Sequence, residues 1–358
     1  MIQDPTAVFN QLVLWVTQHR MVLLLAACAG LGAAGAWFIA GIPFREHLLD
    51  TPNERSSHTE PTPRGGGVGI LAAFIVAGLT LRIPTTFLFA AVFVSAVSFY
   101  GDYFRLSVKF RFLAQLLAAL VFLFPILPAL SAHYAASTFG FSPFFFFLIL
   151  LLIVVFIIGT ANFYNFMDGI NGIAGLSGAI AFGLLGAYTL YYAPLYGYRE
   201  QMSLLSVCIA LACLGYLPFN FPRARVFMGD VGSILLGFVF AGLVVMLARN
   251  YQEMACFAAL LFPFYADELT TMAVRIQDRE NLVQSHRRHL YQLLVNEAGV
   301  AHGKVTLIYG ATQLAVGAGA LFFNAYGTRP VVLFLTACFI AFGLVSLLVR
   351  GQLKKARP

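Results

Sequence analysis

Asn162-Phe-Tyr-Asn165-Phe-Met-Asp168-Gly169-Ile-Asn171-Gly172-Ile-Ala-Gly175 is the stretch on which the reading of this chain turns. An apolar run, 144–158, leads into it and another, 173–192, leads away. Both sit in segments that fit an α-helix crossing a bilayer, which takes about 17–25 residues. The stretch between them offers amide and carboxylate oxygens, and its glycines let a ligand approach the backbone closely. Two membrane spans joined at a water boundary by a ligand-holding polar turn is the reading that results.

The rest of the chain supports a membrane protein. Of 358 residues, 60% are hydrophobic and 10% charged, and the mean hydropathy is +0.84. Soluble domains average about 45–50% apolar and about 25% charged, so one aqueous core cannot hide this excess. Eleven spans are expected, at 21–42, 66–81, 84–100, 111–130, 143–160, 173–192, 203–219, 233–248, 254–272, 305–324 and 330–349. The second and eighth are short, as tilted or broken helices would be, and residues 1–20 read as an amphipathic lead-in without a cleavable signal. The fold class is therefore all-α and polytopic, with residues 1–358 a single domain. The five cysteines lie in apolar runs and read as small buried hydrophobes.

Charge gives the orientation. With the N-terminus on the periplasmic side and the C-terminus cytoplasmic, 17 of the 22 Lys and Arg residues fall inside and only Arg20, Arg82, Arg199, Arg249 and Arg329 fall outside. Such asymmetry follows the positive-inside rule. It also accounts for the net charge of +7 without nucleic acid as a partner. Twelve of the 15 acids share the inside face, which the rule does not require. Their crowding points to chemistry in the loops 43–67, 100–111, 160–175, 220–233 and 267–304.

Each loop has a plain reading beside a functional one. Arg64 precedes Gly65-Gly66-Gly67, where bare amides and a helix start could hold an anion, with Arg55 and Arg64 adding phosphate contacts; a solvated hinge reads equally well. Asp102 stands among Arg105, Lys109 and Arg111, as an ion pair at the membrane edge or as an acid beside a phosphate site. If the central stretch is helical, Asn162, Asn165 and Asp168 share a face and offer hard oxygen ligands suited to Mg²⁺. Asp230, in Phe227-Met-Gly-Asp230-Val-Gly232-Ser233, reads singly as a helix N-cap and jointly with Asp168 as part of a shared cation site. Phe227 could stack on a base. His286 and His289 flank Arg287 and Arg288, a set better suited to phosphate than to zinc, which takes about four ligands. Together the loops carry the inventory of metal-assisted phosphoryl transfer.

Four motifs carry a resemblance: Pro63-Arg-Gly-Gly-Gly, Asn162-Phe-Tyr-Asn-Phe-Met-Asp-Gly-Ile-Asn-Gly, Phe227-Met-Gly-Asp-Val-Gly-Ser and His286-Arg-Arg-His-Leu-Tyr-Gln. By these the chain resembles the polyprenyl-phosphate N-acetylhexosamine-1-phosphate transferases, in their O-antigen or surface-polysaccharide branch. The resemblance implies a ten- or eleven-helix enzyme of the bacterial inner membrane with a cytoplasmic active site. Its expected reaction joins N-acetylhexosamine-1-phosphate from a UDP-N-acetylhexosamine to undecaprenyl phosphate, releasing UMP, with Mg²⁺ or Mn²⁺. By carry-over, Asp102, Asp168 and Asp230 are catalytic, and Asp230 and Asn165 are metal ligands. Asn162, Asn171, Phe227, Lys109, Arg111, His286, Arg288, His289 and Arg64 would then touch substrate, with Phe227 and Asn171 at the uridine. Two departures stand out: Gly101 precedes Asp102 where the family usually has a second Asp, and Asn171 replaces a frequent Asp. The bilayer is the surrounding partner, and a homodimer is left open. The nearest alternative is a phospho-N-acetylmuramoyl-pentapeptide transferase. A secondary transporter is the alternative of another class, but its polar groups would sit at mid-membrane rather than at span ends.

Overall fold

The computed structural model describes residues 5–41, 49–52, 57, 60–104, 106–128, 131, 142–192, 197–281 and 286–356. They form thirteen α-helices and one two-stranded ribbon. In chain order the helices are α1 (Pro5–Gly41), α2 (Val68–Leu81), α3 (Thr85–Phe104), α4 (Val108–Leu123), α5 (Pro143–Met167), α6 (Ile173–Tyr191), α7 (Tyr198–Asn220) and α8 (Asp230–Leu247). They continue as α9 (Tyr251–Ala258), α10 (Phe262–Gln277), α11 (Leu290–Asn296), α12 (His302–Phe323) and α13 (Thr328–Ala356). Strands β1 (Leu49–Asp50) and β2 (Thr62–Pro63) pair antiparallel, Asp50 opposite Thr62.

Among the described residues, ten helical segments are long and apolar enough to cross a membrane, and α2 is a shorter apolar helix. All eleven coincide with expected spans. Helices satisfy their backbone groups internally, which is what a lipid environment demands. Four details differ from the expectation. The lead-in is no separate element, because helix runs unbroken from Pro5 into the first span. The eighth span is 18 residues long and opens on Asp230 itself. The ninth breaks into α9 and α10 at a 3₁₀ turn, Ala259–Leu261, just before Pro263. There the buried Gln313 amide of α12 donates to the Leu260 carbonyl at 2.8 Å, covering a group the break sets loose. Lastly, α3 and α5 run on past their expected ends, carrying Asp102, Asn162 and Asn165 on helix rather than in loops.

Helix α8 is the axis of the bundle. Of its most apolar window, 83% is buried, against 11% for α13 at the periphery. Helices α3 and α5 pack along it, and α2, α6 and α7 also touch it. Behind them α1 and α7 meet backbone to backbone. A Cβ on Gly32 would stand 2.0 Å from the Ala212 carbonyl oxygen, and one on Gly215 2.0 Å from that of Ala29. Small residues at such crossings are how helices associate in lipid, where burial from water offers little. The packing brings the C-terminal ends of α3 and α5, the N-terminal ends of α4 and α8, and the β ribbon to one end of the bundle.

Candidate active site

A cavity of about 290 Å³ opens at that end, lined in part by Arg64, Asp102, Asn165, Asp168, Phe227 and Asp230. Local sequence explains how they meet. Gly229 holds φ +73°, a left-handed conformation that suits glycine, and a Cβ there would sit 2.9 Å from the Gly65 nitrogen and 3.2 Å from Asp102 Oδ2. This close turn starts α8 at Asp230. Gly229 occupies the N-cap position but has no side chain to cap with. Asp102 does so from α3: its Oδ2 accepts from the Asp230 backbone N–H at 2.9 Å, and a carboxylate there also suits the positive end of the helix dipole. The Asp230 side chain is therefore not a cap. Its Oδ2 accepts from Arg111 Nη1 at 2.6 Å and its Oδ1 from Asn165 Nδ2 at 2.7 Å.

The same Asn165 amide donates to Ser233 Oγ at 2.8 Å. Asn165 and Asp230 thus lock α5 to α8 through the Asn165 amide nitrogen, while the Asn165 backbone carbonyl accepts from the Asp168 N–H at 3.2 Å. Arg64 pairs with Asp50 at 2.6 Å and reaches Asp102 Oδ1 at 3.6 Å. Against the cost of its burial, Asp50 first and Asp102 next hold the Arg64 guanidinium above its ordinary pKa. Asp168 follows the last residue of α5. Burial, then the Asp230 and Asp102 carboxylates, push its carboxyl well above the usual range.

Asp102, Asp168 and Asp230 crowd one cavity that Asp50 also lines, and a divalent cation relieves the repulsion among them. The donor set fits one: carboxylate and amide oxygens are the ligands hard cations prefer. Among the described residues no three His, Cys, Asp or Glu side chains stand ready to hold an ion alone. A cation here would draw on Asn165 and complete its shell with water or a phosphate oxygen.

Other residues expected at the site stand elsewhere. Asn162 lies one turn inward, its amide donating to Gln115 Oε1 at 2.6 Å and to the Ile158 carbonyl at 2.8 Å, so it joins α5 to α4. Asn171 donates to the Pro222 carbonyl at 3.1 Å and braces the turn before α6. Lys109 is exposed on the first turn of α4. His286 and His289 pack together, ring centroids 4.7 Å apart, outside the cavity lining. His289 is buried with Nδ1 3.4 Å from Glu268. Burial first and His289 next bring the His286 pKa down to about 4, and burial lowers that of His289 as well. Arg288 is held by Asp278 and Glu280 and faces a separate, larger pocket beside α13. The amides of Gly65, Gly66 and Gly67 are taken by the carbonyls of Phe227 and Met228 at 2.9–3.1 Å, which removes them as an anion cradle. Arg55 lies outside the described residues.

Asp50, Asn220 and Gln292 line the cavity without having been singled out. Asn220 accepts from the Gly172 N–H at 2.7 Å and donates to the Val226 carbonyl at 2.9 Å, joining the two functional loops. Gln292 closes the His286 motif, but no spacing marked its amide as facing the cavity. At Gly101, a Cβ would lie 3.3 Å from Arg111 Cδ, so Arg111 occupies the space beside Asp102.

Comparison with known proteins places this geometry in a lineage. The description of glycosyl transferase family 4 matches residues 84–248, the segment that supplies Asp102, Asp168 and Asp230. A decaprenyl-phosphate N-acetylglucosaminephosphotransferase of Mycobacterium tuberculosis is 31% identical, over 91% of this chain and 90% of its own length. A probable undecaprenyl-phosphate N-acetylglucosaminyl 1-phosphate transferase of Bacillus subtilis is 24% identical over 73% of each chain. An undecaprenyl-phosphate α-N-acetylglucosaminyl 1-phosphate transferase of Thermotoga maritima is 24% identical over 86% of this chain and 92% of its own. The chain belongs to glycosyl transferase family 4, the family of these polyprenyl-phosphate sugar-phosphate transferases.

Proposed function

We propose that this membrane protein transfers N-acetylhexosamine-1-phosphate from a UDP-sugar to undecaprenyl phosphate, the first step of an O-antigen or related surface glycan. An oxygen of the lipid phosphate attacks the β-phosphorus of the UDP-sugar. The bond from that phosphorus to the bridging oxygen breaks, and UMP departs with the electron pair. The reaction would take place at the cytoplasmic face of a bacterial inner membrane, with the N-terminus periplasmic. The observation that carries the reading is the convergence of Asp102, Asp168 and Asp230 with Arg64, Arg111 and Phe227 at one end of the bundle.

Asp230, Asp168 and the Asn165 side-chain oxygen would hold Mg²⁺, or Mn²⁺ in its place. When bound, the ion neutralises charge building on the diphosphate. The protein's own groups do the rest. Phe227 offers a ring for the uracil. Arg64 and Arg111 hold anionic oxygens beside the acids. A phosphate monoester has its second pKa near about 6, so the lipid phosphate arrives mostly ionised and needs little help from a base. Asp102, with one oxygen on the Asp230 backbone, orients α8 and the phosphate that approaches Arg64. N-acetylglucosamine is the sugar to try first, because the relatives' names carry it.

The test is purified protein with undecaprenyl phosphate, Mg²⁺ and a panel of UDP-sugars, following UMP. Release with a UDP-N-acetylhexosamine, abolished by chelation, is the expected result. Intact UDP-sugar from every donor, or its uptake into vesicles without cleavage, would sink the reading.

A further inference from the structure

A second acid, Asp267 on α10, is fully buried and lies outside the cavity. Its carboxylate accepts four hydrogen bonds: from the Leu290 N–H at 2.7 Å, the Tyr291 N–H at 3.2 Å, the Tyr309 hydroxyl at 2.7 Å and the Thr271 hydroxyl at 3.2 Å. Two of these come from the first residues of α11, so Asp267 fixes where that helix begins. Tyr291, in that first turn, is itself fully buried. Its hydroxyl donates to the Phe166 carbonyl at 2.9 Å. Phe166 belongs to the last turn of α5, where helix carbonyls have no partner within the helix. The Tyr291 ring also lies under Gly169, where a Cβ would stand 2.1 Å from the hydroxyl oxygen. Contacts at Phe166 and Gly169 thus bracket Asp168 from one side.

We infer that Asp267 and Tyr291 are positioning residues: a buried strut from α10 through α11 that sets the height of the Asp168 carboxylate in the cavity. Asp267 holds the strut's base, since its two oxygens accept from two backbone donors and two hydroxyls at once, which an amide with one oxygen cannot. Tyr291 is the tip. Neither touches substrate. The effect on turnover rests on the proposed function, because it requires Asp168 to act on the reaction, whereas the strut itself does not.

The experiment separates the two. Hydrogen exchange of the purified, metal-free protein is followed in a peptide spanning 165–172, beside steady-state UMP release, for Tyr291→Phe, Gly169→Ala and the double variant. Tyr291→Phe should speed exchange in 165–172 and leave 98–104 and 230–240 unchanged. It should lower kcat by about ten- to a hundredfold, the scale of a misplaced reacting group, with the KM for the lipid phosphate held within about twofold. Gly169→Ala should be at least as damaging. Adding Tyr291→Phe to it should recover part of the loss, because the hydroxyl it collides with is gone; a merely stabilising Tyr291 would make the double variant worse. Asp267→Asn should speed exchange in 165–172 and in 289–296 together. Unchanged exchange in 165–172 for Tyr291→Phe would overturn the strut, and faster exchange with unaltered kcat would overturn its positioning role while leaving the reaction in place. A wild type that cleaves no UDP-sugar would defeat the proposed reaction, with the exchange comparison still deciding the strut. Should Tyr291→Phe fail to fold, Tyr309→Phe removes one donor from Asp267 and takes the same two readouts at smaller amplitude.

Discussion

Two acidic regions of this protein are built on opposite principles. Around the cavity, Asp102, Asp168 and Asp230 face one another with two arginines between them, and the Asp168 carboxyl is held well above its usual range. On α10, Asp267 is more deeply buried yet surrounded by four donors. A buried charge that is fully hydrogen-bonded organises structure, whereas like charges left facing each other store repulsion that a cation or substrate can release. The two regions can be told apart by which property a substitution removes.

The largest expected effect breaks the cavity. Asp230→Asn should reduce UMP release by about a thousandfold or more, the scale of losing a main electrostatic element, with the melting temperature held near wild type. A similar loss accompanied by unfolding would erase the distinction. Asp267→Ala should instead act first on stability, costing about 3 kcal/mol through the donors it strands, measured by thermal or denaturant unfolding in detergent, with the loss of turnover that a broken strut brings. Gly229→Ala should cost about 1–3 kcal/mol, for a positive-φ extended residue gaining a side chain, with the contact to the Gly65 nitrogen adding to it, and should weaken Asp102's hold on α8. His286→Asn sharpens the comparison through pH. The folded protein holds His286 near 4 while an unfolded histidine titrates near about 6.5. Between these values the unfolded chain binds the extra proton, so stability rises with pH and is complete above them. Melting curves between about pH 5 and 8 should show that rise in the wild type and a shallower one in His286→Asn. The smallest effect belongs to Lys109→Ala, whose side chain is exposed beside α4. It should change kcat/KM by about twofold or less, a difference that about 0.5 M salt removes.

Much of the fold was legible. The apolar runs located all eleven spans because in lipid a helix must be long and continuous to satisfy its backbone. What escaped were features set by packing: the break before Pro263, repaired by Gln313 from another helix, and the extension of α5 through Asn165 to Met167. The three cavity aspartates could be found because each stands alone at a span end with glycines beside it. The partners could not. Asn162 has the same chemistry as Asn165 and sits three residues away, but one turn of helix sends it to Gln115 and the other to Asp230. The glycines at 65–67 read as an anion cradle only until the Phe227 and Met228 carbonyls, distant in sequence, occupy their amides. The histidine motif gave no sign of the burial that lowers the pKa of both His286 and His289, because sequence does not reveal burial.

The sheathing of α8 bears on how the protein meets membranes of different thickness. Its Asp230 is rooted in the most enclosed helix of the bundle, while α13 is buried along only 11% of its apolar stretch and packs on one side. Elastic mismatch between lipid and protein is taken up by tilting or local deformation at little cost per ångström. The outermost helix can lean to follow a thinner or thicker bilayer, and the enclosed one keeps its register. Transfer should then tolerate a wide range of acyl-chain lengths.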